Sequence, residues 1–127
     1  MKRRIHGERN RDLSQSLVKG NKYFDWVITT AFYSSIHFVE DSILPTNIGS
    51  IHCKNINDVK QAYRMSGRHQ ARERLVFDNL NLKIAAKYKW LDDNSRNSRY
   101  VTYKIKRQEA EKALQYLDEI YSECYKK

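Results

Sequence analysis

From Asp25 to Leu44 the chain runs without a glycine or a proline, and Pro45 stops it. Ile28, Phe32, Ile36, Val39 and Ile43 recur there at three- and four-residue steps, the period of one helix face. The stretch is apolar over much of its circumference, which predicts a central, mostly buried helix. Ala31, Ser34 and Ser35 are small enough to let a second helix approach closely. Four glycines and one proline in 127 residues leave too few turns for a β sandwich or barrel.

Other segments share the helical period. Residues 8–19 form a first helix with a thin stripe of Leu13, Leu17 and Val18, stopped by Gly20-Asn21. Residues 45–57 read as a loop, and Asp58 caps a short turn through Met65. A third helix is expected from Arg68 to Leu80, with Ala71, Leu75, Val76 and Leu80 inward. A fourth follows Asn81, from Lys83 to Tyr100, with Ile84, Tyr88 and Leu91 inward. The last runs from Lys104 to Cys124 on the stripe Ala110, Ala113, Leu114, Leu117, Ile120, Tyr121 and Cys124. The expected fold is all-α, a four- to five-helix up-and-down bundle, with residues 1–127 as one domain.

Several function classes lack their signatures. No apolar run approaches a membrane span, and the basic N-terminus has no apolar core of a secretory signal. Cys53 and Cys124 are too few for a disulfide scaffold, which points to a cytoplasmic setting. Glycine-rich phosphate loops, a nucleophile elbow and paired zinc-ligand motifs are missing, so neither a metal nor a cofactor is implied.

What remains is charge. The formal net charge is +9 and it is unevenly spread. Residues 1–11 carry five Lys or Arg against one Glu, residues 60–82 five against two acids, and residues 83–107 eight against two. Residues 12–59 and 108–127 are each net negative. Clustered cations favour polyanions, because each phosphate contact releases condensed counterions.

Three constellations are candidates for chemistry. His37 lies on the central helix one turn from Tyr33, Glu40 and Asp41. It is read as a structural histidine partnered by Glu40 or Tyr33. The densest basic cluster is Arg64 to Arg74. His69 and Arg72 are three apart on one helix face, with Arg64 and Arg68 nearby. A histidine beside arginines is the minimum set for metal-free RNA cleavage: the imidazole takes the 2′-hydroxyl proton, and Arg64 or Arg72 offsets the charge growing on phosphorus. The third is Arg96, Arg99, Tyr100, Tyr103 and Arg107, where cations and phenols share a side if the helix continues. Bases can stack on such planes, so Arg68, Arg96, Arg99 and Tyr100 are the expected nucleic-acid contacts. The alternative is that the tyrosines pack in the core while the arginines reach water.

Taken together, these residues resemble a family. Asp25-Trp26, Ala31-Phe32-Tyr33 and His37 are similar to the second helix of HEPN domains (higher eukaryotes and prokaryotes nucleotide-binding). Ser66, His69 and Arg72 then resemble the segment that follows in small bacterial members. Tyr88, Leu91, Ser95 and Ser98-Arg99-Tyr100 resemble their next helix. The similarity spans about residues 8–124. It implies a four- to five-helix bundle, commonly a homodimer, that binds RNA or nucleotides. It also implies a toxin–antitoxin or defence setting, with a nucleotidyltransferase or antitoxin partner. Many members are ribonucleases with four to six residues between an Arg and a His; others are non-catalytic. Arg64 and His69 match that spacing. Met65 stands where the motif carries a polar residue, and Gly67 interrupts it, so ribonuclease and non-catalytic binding both stay open. A scaffold that binds a protein partner is the third reading.

Overall fold

The structure, a computed structural model of the protein, describes residues 2–126. Helix α2 (Phe24–Ile43) is the axis, as its periodicity predicts. Val27, Ile28, Ala31, Phe32, Phe38 and Val39 are fully buried on it. Helices α1 (Lys2–Lys19), α5 (Leu82–Tyr100) and α6 (Arg107–Cys124) pack around α2. Ile84, Ala85, Tyr88 and Leu91 of α5 close the core against Ala113, Leu117 and Ile120 of α6. Helix α4 (Arg68–Asn79) joins through Val76, while its Ala71 and Leu75 face a second, smaller apolar cluster. That cluster holds Leu44, Cys53, Ile56 and Val59, and it seats the short helix α3 (Ile56–Ala62). Six helices are present among the described residues, one more than expected, and none is long and apolar enough to cross a membrane.

The sequence reading is corrected in three places. The stretch 45–57 is not all loop: Thr46–Ile48 (β1) pairs antiparallel with Ile51–Cys53 (β2). Gly49, at φ 59°, supplies the left-handed turn that such a hairpin needs. Cross-strand partners Asn47 and His52 meet with Oδ1 and Nδ1 2.7 Å apart. Strands of three residues are too short to show a period of two.

Helix α1 starts at Lys2 rather than residue 8. Gly7, a poor helix former in isolation, sits where α1 touches α2. Ser34 Oγ donates a 2.6 Å hydrogen bond to the Gly7 carbonyl. The basic N-terminus is therefore built into the fold. Arg4 Nη2 donates to the Tyr121 hydroxyl at 2.6 Å, and its guanidinium lies 4.1 Å from the Tyr125 ring centre. Arg11 pairs with Asp118 at 2.6 Å.

Ala31, Ser34 and Ser35 do admit a close neighbour, but they are buried within this chain and Ser34 faces α1. They offer no face to a second copy. Finally, α5 stops at Tyr100 and α6 starts at Arg107, not Lys104. The intervening chain turns away, so Arg107 reaches the end of α1 and donates to Asn21 Oδ1 at 2.8 Å. It does not share a side with Arg96 and Arg99.

Candidate nucleic-acid interface

The bundle brings two short sequence clusters together. His69 is the second residue of α4, and Arg72 follows one turn later on the same side. Arg96 and Arg99 lie in the last turns of α5. Arg72, Arg96 and Arg99 are the cations that act most strongly on His69, opposed by Asp92. Arg64 is not one of them. It occupies the α3–α4 turn at φ 56°, its N–H donating to the Gln61 carbonyl at 3.1 Å. Arg68, the first residue of α4, is exposed beside His69 in sequence.

Each arginine is held differently. Arg72 is buried, and its Nε donates to Glu40 Oε2 of α2 at 2.7 Å. It also lies near Tyr88, a fully buried phenol that burial keeps protonated well above its ordinary range and whose hydroxyl Arg72 pulls the other way. Arg72 therefore positions the site more than it reaches out of it. Arg96 forks onto Asp92, with Nε and Nη2 at 3.2 and 3.0 Å from the two carboxylate oxygens. The Asp92 side chain is 1% exposed and Arg96 is half-exposed. A buried carboxylate thus aims a solvent-facing guanidinium.

Of these three arginines, Arg99 is the one without a carboxylate partner among the described residues. Its Nη1 donates to the buried Ser95 Oγ at 2.6 Å. Its guanidinium lies 5.5 Å from the Tyr33 ring centre and 5.4 Å from that of Tyr100. Two carboxylates for three guanidiniums leave a cationic surface, and Arg99 is where the excess sits.

His69 lies on the surface, yet the side chains around it remove enough water to hold its pKa below the ordinary histidine value. Asp92 works against that shift, and Arg72, Arg96 and Arg99 reinforce it. Near neutral pH the imidazole is therefore uncharged. It can accept a proton or a hydrogen bond, and the arginines can hold a phosphate beside it.

His37 hydrogen-bonds neither Glu40 nor Tyr33, the two partners its sequence neighbours offered; the Glu40 carboxylate accepts from Arg72. Instead its ring stacks on His6 of α1, with centroids 5.4 Å apart and planes at 27°. Burial, the largest cause, and then His6 lower its pKa; Glu40 opposes, and Arg72 and Arg3 add to the lowering.

Sequence reasoning missed Asp92 and Tyr33 as members of this face. The Asp92–Arg96 spacing of four residues was visible; that Asp92 is buried and that Tyr33 meets Arg99 are products of packing.

A groove of 770 Å³ lies elsewhere, between α1, α5 and α6. Glu111, Asp118, Glu119 and Glu123 line it against one cation, Arg107, so it repels phosphate. Among the described residues, no three His, Cys, Asp or Glu side chains are grouped to hold a metal ion. In comparisons with family models, curated proteins and solved structures, nothing matches this chain.

Proposed function

We propose that this chain is an HEPN-like helical bundle that binds RNA or nucleotides through the face built by α4 and the end of α5. The observation that supports this reading is the convergence of His69, Arg72, Arg96 and Arg99, two sequence clusters that folding makes into one. The N-terminal cations support it indirectly. Arg4 and Arg11 are engaged within the bundle, which leaves residues 60–107 as the main source of free positive charge. A toxin–antitoxin or defence setting, a homodimer, and a nucleotidyltransferase or antitoxin partner belong to the same proposal and rest on the sequence resemblance; cytoplasmic action belongs to it too and rests on the scarcity of cysteines.

The test is RNA affinity as a function of salt. For single strands, log K falls against log salt with a slope of about −0.7 per phosphate neutralised. Arg99→Ala should weaken binding and flatten that slope by about 0.7. Affinity that ignores salt would sink the reading.

A ribonuclease activity is a second reading, supported by the neutral imidazole of His69 among arginines. His69 would take the proton of the 2′-hydroxyl. The 2′-oxygen would then attack phosphorus and expel the 5′-oxygen, which collects a proton from water. Arg96 and Arg99 would offset charge on the phosphate oxygens. His69→Ala should lower cleavage about 10²-fold with binding retained. If the parent protein cuts no RNA, non-catalytic binding stands alone.

A further inference from the structure

Next to Arg99 lies a cleft of 380 Å³ between the start of α2 and the loop after α5. Trp26, Tyr100 and Tyr103 line it, and they are 51%, 79% and 71% exposed. The core does not use these rings. Arg99 stands among them, with its guanidinium near the Tyr33 and Tyr100 rings. Lys22 and Lys104 border the adjoining groove, which shares Tyr103 and Asp25 with the cleft. Cations alternating with exposed rings suit a strand whose backbone is anionic and whose bases are flat and apolar.

We propose that this cleft is a stacking platform for unpaired bases, so that the protein selects single-stranded RNA over duplex. The inference rests on the RNA-binding reading above and specifies its substrate. In a duplex the base faces are already stacked on one another and cannot reach Tyr100 or Tyr103. In a single strand each base offers a face, and stacking on an aromatic ring is tolerant of sequence. Asp25, the carboxylate on the wall, repels phosphate. The backbone must therefore follow Arg99 and the lysines while the bases turn toward α2.

The experiment compares a mixed-sequence single-stranded RNA of twelve nucleotides with its blunt duplex, by fluorescence anisotropy at low salt. The single strand should bind at least about tenfold tighter, and should quench Trp26. The double variant Tyr100→Ala/Tyr103→Ala should lose roughly tenfold per ring for the single strand and keep its duplex affinity, which also reports that it is folded. Tyr100→Phe/Tyr103→Phe should bind like the parent, because stacking needs the ring and not the hydroxyl. Equal affinity for both forms with no effect of the alanines would overturn the platform and leave the electrostatic reading intact. No binding of either form would overturn both. A parent dimer that the alanine pair dissociates would show that a second copy covers the rings, and would also overturn the proposal.

Discussion

Arg72 and Glu40, thirty-two residues apart in sequence, form the pair that ties the site to the core: Nε lies 2.7 Å from Oε2, with side chains 9% and 14% exposed. The pair pins α4 to α2 one turn along α4 from His69. Removing one partner leaves a desolvated charge, which costs about 3–5 kcal/mol. Glu40→Ala and Arg72→Ala should each lose stability on that scale in urea unfolding. Glu40→Leu/Arg72→Met, which removes both charges and keeps volume, should recover most of it. Strict additivity of the single effects would contradict a coupled pair.

A second prediction concerns Gly7. A Cβ there would lie 2.6 Å from Cε1 of Phe38. That ring cannot step aside easily, because Tyr121 and Tyr125 hold it with centroids 4.8 and 5.8 Å away. Alanine gains about 1 kcal/mol of helix propensity, while overpacking costs about 1–3 kcal/mol. Gly7→Ala should therefore be destabilised on balance, and Phe38→Leu in the same chain should relieve it. A Gly7→Ala protein more stable than the parent would refute this close approach.

Stability should also depend on pH through His37 and His69. Both are held below the ordinary histidine value, His37 chiefly by burial and His6, His69 by partial burial and the arginines around it. The unfolded chain therefore takes up protons first. As pH falls below about 6.5, stability should decline until the folded imidazoles titrate, and it should be level above that window. His37→Gln should flatten the decline in thermal melts between pH 5 and 7.5. An unchanged profile would mean that His37 is not a source of it.

The helices were legible because their stripes are long. Ala110, Ala113, Leu117 and Ile120 are buried as their spacing requires, and so are Ile84, Tyr88 and Leu91. Propensity misjudged the start of α1, because the contact of Gly7 with α2 outweighs the weak local preference at Gly7. The pairs His69–Arg72 and Arg96–Arg99 were each readable as neighbours three residues apart. Their meeting was not readable, nor was the partner of Glu40, since both depend on how α4 docks beside α2 and α5. Arg107 separated from Arg99 because α5 ends at Tyr100, a boundary that no glycine or proline marks.

The central claim is that a place on the fold, and not the overall charge of +9, binds RNA. Charge reversal at two ends of α5 tests it. Arg99→Glu and Lys83→Glu change net charge equally, and the two positions stand about 24 Å apart along the helix. Measured on one single-stranded RNA at one salt concentration, Arg99→Glu should weaken binding at least about tenfold more than Lys83→Glu. Equal losses from the two variants, or a larger loss from Lys83→Glu, would contradict the account.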